Sequence, residues 1–222
     1  MLNNIFDFLF PDIIDFLPLI ISGLGITIML ALIISICGLI GGVILLYFSI
    51  SSNRKIALFC KSYISFFIGT PLLVILFLVY YGLPQYGFSP SVFTVSVICF
   101  TLNISAYNAS YLLTPYRGLD KQELDAATIQ GFTNIQVYYL MILPQVFRNS
   151  IPSLTNQVIN NIKDTSIVFL IGYTDFFARM QEIASYNFRF FMVYIITAVT
   201  YLVLALVVVK LARYFERSCQ VY

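Results

Sequence analysis

The chain has 222 residues, 60% of them hydrophobic and only 10% charged, where a soluble domain of this size carries roughly 25% charged residues. It contains no histidine, its net charge is +2, and its four cysteines show neither pairing nor metal-ligand spacing. These features speak against a soluble domain, a nucleic-acid binder and histidine-based catalysis.

The apolar residues fall into blocks long enough to cross a bilayer, which takes about 20 residues of helix. Five spans are predicted, at 18–48, 57–81, 90–113, 153–175 and 190–212, with one polar loop at about 114–152. The fold class is therefore all-α: a polytopic membrane protein, one domain over 1–222, with no soluble domain of its own. With the N-terminus outside, nine basic residues (Arg54, Lys55, Lys61, Arg117, Lys121, Arg148, Lys210, Arg213 and Arg217) lie in or beside cytoplasmic segments. Only Arg179 and Arg189 lie outside, so the positive-inside bias sets N-out and C-in. Asp7, Asp12 and Asp15 precede the first span without a basic residue, which does not read as a cleaved signal peptide.

The first span carries Gly38 and Gly42, a small-xxx-small pair that suits either internal packing or a subunit interface. In the second, Gly69-Thr70-Pro71 interrupts the helix, as a packing kink or as a break lining a pathway. The third holds Asn103, Ser105, Tyr107, Asn108 and Ser110, a polar set for the bundle interior; Pro115 and Gly118 break it. The loop reads as two short helices parted at Gly131, a residue that accepts a left-handed turn. Thr133 or Asn134 caps the second. Ile135, Tyr138, Tyr139, Ile142 and Val146 form one helical stripe, and Pro144 is expected to kink or end that helix. Basic residues are sparse here, which favours docking onto a protein over lying on the membrane surface. The fourth span contains Asn156, Gln157, Asn160, Asn161, Lys163 and Asp164, a costly set at membrane depth. Asp175 at its outer end and Glu182 in the outer loop that follows are expected to be solvated.

Asp125-Ala126-Ala127, Gly131, Met141 and Leu143-Pro144 keep, without a gap, the spacing Glu-Ala-Ala, three residues, Gly, nine residues, Ile-x-Leu-Pro. This resembles the signature loop of bacterial ABC importer permeases. Gly69-Thr70-Pro71-Leu72-Leu73-Val74 with Tyr80-Tyr81-Gly82, Leu102-Asn103-Ile104-Ser105-Ala106-Tyr107-Asn108-Ala109, and Lys163-Asp164-Thr165-Ser166 are similar to stretches of the polar amino acid permeases in that family. The likeness covers nearly the whole chain. Asp125 stands for the usual Glu and Met141 for Ile. Ser110 and Leu113 replace a common Glu and Arg, Gln122-Glu123 replaces Gly-Gln, and Gln157 replaces a frequent Glu.

The resemblance implies a transport subunit that performs no bond chemistry and binds no cofactor. A second permease, identical or homologous, pairs with it around a central path in the bacterial cytoplasmic membrane. A cytoplasmic ABC ATPase beneath each permease binds ATP and Mg, and an external receptor delivers an amino acid. A Gly-x-x-x-x-Gly-Lys-Ser/Thr motif is absent from this chain. On this reading Asp125, Ala126, Ala127, Gly131, Phe132, Leu143 and Pro144 couple to the ATPase, and Thr70 and Pro71 lie on the substrate path. An amino acid zwitterion needs an acceptor for its ammonium and donors for its carboxylate; Asp164 supplies the first, and Asn103, Gln157 and Lys163 the second. The competing readings are an ion-driven secondary transporter, which often shows inverted repeats not seen here, and a membrane scaffold, which has no use for the polar spans.

Overall fold

A computed structural model describes the backbone of residues 2–219 and the side chains of residues 16–213. Asp7, Asp12, Asp15, Arg217 and Cys219 lie outside the described side chains. The order is α1 (Leu2–Ser49), α2 (Arg54–Gly69), α3 (Leu72–Gly82), a 3₁₀ turn (Leu83–Tyr86), α4 (Val92–Tyr116), α5 (Lys121–Ile129) and α6 (Asn134–Val137). A π-helical turn (Tyr138–Ile142) then leads into α7 (Leu143–Asp164), a 3₁₀ segment (Thr165–Ile171), α8 (Phe176–Asn187) and α9 (Phe190–Cys219). Among the described residues there is no strand.

Phe16–Ser49 of α1, Val92–Tyr116 of α4 and Phe190–Arg213 of α9 are each long and apolar enough to cross a membrane. The expected second span is not one rod. It is α2 and α3, bent by 97° at Gly69-Thr70-Pro71. The expected fourth span also differs: its helix starts at Leu143, ends at Asp164 and passes into 3₁₀ geometry. With amides and charges recurring along α7, it is not among the helices apolar enough to span by composition. What was expected to be an outer loop contains α8.

The bundle is built on α1 against α4, its most extensive helix pair. Lipid offers no hydrophobic drive for this contact, so close approach of backbones has to supply it. A Cβ on Gly38 would fall on the Ile104 side chain, one on Gly41 on Ser105, and one on Gly42 within 2.6 Å of the Asn108 Cβ. Gly38, Gly41 and Gly42 therefore serve internal packing. Leu30, Ile34, Leu76, Val95, Phe100 and Val168 fill the core at the α2–α3 bend. Leu46, Leu112, Val137, Tyr138, Ile142 and Val146 fill a second core beneath α5 and α6. Phe176, Met180, Ile183 and Val193 tie α8 to α9.

Two expectations fail for local reasons. Pro144 neither kinks nor ends its helix: it sits in the first turn of α7, after the π turn, whose Tyr138 carbonyl accepts from the Leu143 amide. The same extra residue rotates the apolar stripe. Tyr138, Ile142 and Val146 are buried, whereas Ile135 and Tyr139 are exposed. Asp175 is fully buried, not solvated. It caps α8 by accepting from the Ala178 amide at 2.9 Å and faces the Thr27 hydroxyl of α1, which itself accepts from the Phe176 amide at 3.0 Å. Glu182 is exposed as expected, paired with Arg179 at 2.8 Å.

Candidate functional site

The α2–α3 bend follows from proline chemistry. Pro71 has no N–H, so the carbonyl of Phe67, four residues earlier, loses its helical partner. The residue before a proline is pushed from helical to extended geometry, and Thr70 adopts φ −104°, ψ 128°. The orphaned Phe67 carbonyl is not left bare: Nδ2 of Asn103, on α4, donates to it at 2.9 Å. Tyr63 returns the link, its hydroxyl donating to the Leu102 carbonyl at 2.8 Å.

The bend forms one wall of a cavity of about 360 Å³. Gly69, Thr70 and Pro71 line it on one side, Asn103, Tyr107 and Tyr111 of α4 on the second, and Gln157, Asn160 and Asp164 of α7 on the third. Gln157 and Asp164, seven residues apart, share this wall as two turns of one helical face require. Gln157 is held by its neighbour: Nε2 donates to Asn161 Oδ1 at 2.8 Å, and Asn161 Nδ2 donates to Ser35 Oγ of α1 at 2.8 Å. One of the two N–H donors of each amide, Asn103 and Gln157, is therefore engaged within the bundle. Thr70 lines the cavity where the sequence analysis placed it; the hydroxyls of Tyr107 and Tyr111 and the amide of Asn160 supply further polar groups that it did not assign to the substrate path.

Lys163 lies elsewhere. It lines a separate cavity with Phe177 of α8 and Tyr194, Thr197 and Tyr201 of α9. Adjacent residues on a helix point about 100° apart, and α7 uses that divergence to separate Lys163 from Asp164. Lys163 thus stands outside the lining that Asn103, Gln157 and Asp164 share, contrary to the sequence expectation that the four come together.

The second feature is the elbow formed by α5 and α6. Asp120 caps α5 through the Gln122 amide at 2.8 Å. At its other end the Phe132 amide donates to the Ala127 carbonyl at 3.2 Å and the Gly131 amide to the Thr128 carbonyl at 3.0 Å, a Schellman closure. That closure requires a left-handed residue, and Gly131 has φ +90°. Thr133 and Gln136 then form a reciprocal capping box that starts α6.

These devices present an apolar edge. Ile129 is 87% exposed, Phe132 38% and Ile135 57%. Asp125 and Ala126 are on the open side, while Ala127 is buried in the core beneath. Leu143 packs on that core and Pro144 is exposed. Ile129 carried no distinguishing signal in the motif, yet it is the most exposed apolar side chain of the elbow. A cavity of about 610 Å³ separates α5 and α6 from the α1–α2 turn, with Asp125, Lys121, Asn134 and Asn53 in its lining.

Tyr138 fastens the elbow to the bundle. Its ring is 2% exposed, packs edge-on against Tyr47 of α1 at 5.0 Å, and its hydroxyl donates to the Val43 carbonyl at 2.6 Å. Burial, with Tyr139 alongside, pushes its phenol above the ordinary range and keeps it a neutral donor.

Residues 38–221 match the family described as "Binding-protein-dependent transport system inner membrane component". The "Probable amino-acid permease protein YxeN" of Bacillus subtilis (strain 168) is 37% identical over 204 residues, covering 90% of this chain and 91% of that one. The "Probable amino-acid ABC transporter permease protein PatM" of Vibrio harveyi is 37% identical over 195 residues, covering 86% and 87%. A solved structure described as an amino acid ABC transporter with histidines superposes with a TM-score of 0.83 at 35% identity, covering 93% of this chain and 96% of that one. An inward-facing MetNI methionine ABC transporter shares the fold, with a TM-score of 0.75 at 15% identity. The chain therefore belongs to the family of binding-protein-dependent transport system inner membrane components.

Proposed function

We propose that this permease moves a polar amino acid into the cytoplasm as part of an ATP-driven ABC importer. The observation that carries the reading is the polar cavity at the Thr70-Pro71 break, walled by α7 and joined to the elbow through that same helix. The relatives named as amino-acid permeases support the substrate class.

The chain acts as a non-catalytic subunit, a single membrane domain over 1–222 with its N-terminus outside and C-terminus inside. It sits in the bacterial inner membrane. A second permease, the same or homologous, completes the pathway, and an external receptor loads it. ATP and Mg are held by a separate cytoplasmic ATPase. That ATPase docks on the apolar edge at Gly131-Phe132, with Asp125, Ala126, Ala127, Leu143 and Pro144 building and orienting it. Closure of the ATPases displaces the elbow, and α7 carries the displacement to the cavity wall.

At the cavity, Asp164 accepts the substrate ammonium, and the hydroxyls of Thr70, Tyr107 and Tyr111 with the amide of Asn160 donate to its carboxylate. Asn103 and Gln157 hold the walls in place, the first on the bend and the second on α7. Gln157 is neutral, so among the described residues Asp164 is the one carboxylate in the lining, which suits a zwitterion without requiring a cationic side chain.

The test is uptake into vesicles by the purified complex. Uptake of labelled arginine, histidine, lysine, glutamine or glutamate should require both the receptor outside and ATP on the ATPase side. Uptake driven by an ion gradient without ATP would overturn the reading in favour of a secondary transporter.

A further inference from the structure

The cavity of about 610 Å³ between the elbow and the α1–α2 turn plays no part in the docking edge: Ile129, Phe132 and Ile135 are all absent from its lining. Its lining is rich in polar groups and carries both signs of charge. Lys121 and Asp125 stand at i and i+4 on α5, so one helix face presents both to the cavity. Asn53 of the turn, Tyr116 at the end of α4 and Asn134 at the start of α6 add uncharged polar groups.

The two charges are not there for each other. Among the described residues, neither side chain has an ion pair or a hydrogen bond. The lysine precedes the acid, which is the weaker order for such a pair on a helix. Lys121 is also the first residue of α5, where the positive end of the helix dipole opposes its charge. Its ammonium therefore adds nothing to the stability of α5. The pair is left as a separated cation and anion on one cavity wall. A ligand that complements such a wall brings a carboxylate to the lysine and an ammonium to the aspartate. An α-amino acid carries both on one carbon. A simple anion or a simple amine satisfies only one of the two.

We propose that this cavity binds a free amino acid from the cytoplasmic side, at a site separate from the Asp164 cavity. Lys121 donates to the carboxylate and Asp125 accepts from the ammonium. The amides of Asn53 and Asn134 and the hydroxyl of Tyr116 meet a polar side chain. The ligand is then the product of transport, met on the side to which it is delivered. Both charged side chains are exposed, so water screens their contacts and this site is the weaker of the two. The cytoplasmic placement and the choice of an amino acid rest on the importer reading above.

The experiment uses the whole permease–ATPase complex without receptor, with arginine and glutamine as probes. Acylation of Lys121 by a brief pulse of an amine reagent is followed by mass spectrometry. At least one of the two amino acids should protect Lys121, in wild type and in Asp164→Asn alike. Acetate, ethylamine and inorganic phosphate should not. Equilibrium dialysis with the labelled probes gives a second readout. The binding that remains in Asp164→Asn should weaken about five-fold when Lys121→Gln is added, the factor that one net hydrogen bond of ordinary strength represents. Thermal unfolding should stay unchanged or rise slightly in Lys121→Gln, because the opposition to the helix dipole is removed. The proposal is overturned if neither amino acid protects Lys121, or if phosphate protects it equally well, which would make it a simple anion contact. Loss of protection in Asp164→Asn, or dialysis that does not register Lys121→Gln, overturns it too. If wild-type uptake needs no ATP, the importer reading fails, while the cavity still stands or falls on the protection of Lys121.

Discussion

Pro71 and Pro144 both interrupt long helical stretches, with opposite results. At Pro71 the preceding Thr70 goes extended and the axis turns by 97°. At Pro144 the preceding Leu143 stays helical at φ −59°, ψ −45°, against the usual preference before proline, and α7 continues. The difference lies in what surrounds each proline. Upstream of Pro144 the π turn provides an extra residue, so the carbonyl that would meet the proline ring is displaced. Upstream of Pro71 the helix is regular, so the clash ends it, and Asn103 across the bundle takes up the orphaned carbonyl. A proline therefore makes a cavity wall or passes unnoticed according to the local register and the neighbouring donor.

The strongest way to break this contrast is to delete Leu140, an exposed residue of the π turn. The turn would revert to α geometry and place Pro144 in an ordinary helix interior, at a cost of about 3 kcal/mol. The elbow would also rotate relative to α7, and co-purification with the ATPase should be lost. Asn103→Leu comes next. It leaves the Phe67 carbonyl buried and unpaired, and the thermal unfolding of the permease in detergent should show a loss of about 1–3 kcal/mol. The double variant Asn103→Leu/Pro71→Ala should recover part of that stability, because the restored amide re-pairs the carbonyl, yet uptake should remain poor because the bend is lost. Gly131→Ala should cost about 1 kcal/mol through the left-handed φ alone, read as weaker ATPase binding by the purified permease. The smallest effect belongs to Pro144→Ala. The π turn already accommodates the proline, so unfolding should shift by no more than about 0.5 kcal/mol and uptake should stay near wild type.

Much of this was legible in the sequence because it is written in local chemistry. Gly131 announces a left-handed closure, Thr133 or Asn134 a helix cap, and Gly69-Thr70-Pro71 a break. Membrane-capable helices were readable from the apolar blocks wherever one continuous helix carries the block, as in α1, α4 and α9. The depth of the bend at Pro71 was not, because it depends on Asn103, 32 residues later in the chain. The burial of Asp175 was not legible either. Its polar partners are the amides of its own cap and a threonine on α1, and no local pattern distinguishes such a capped carboxylate from a solvated one. Asn161 has a signal in hindsight, its i, i+4 spacing from Gln157, but its anchor Ser35 is 126 residues away in sequence. The π turn defeated the stripe analysis because a constant period of 3.6 residues has no room for an inserted one.

The central claim is that the cavity between the Pro71 bend and α7 holds the amino acid, with Asp164 as its acceptor. The most direct measurement is binding of a labelled amino acid to the purified, receptor-free membrane complex, for wild type and Asp164→Asn side by side. The account predicts saturable binding to wild type, at least about ten-fold weaker binding to the variant as a charge-assisted contact is lost, and an intact complex in both. Equal binding by the two proteins, or a variant that no longer assembles, would contradict it.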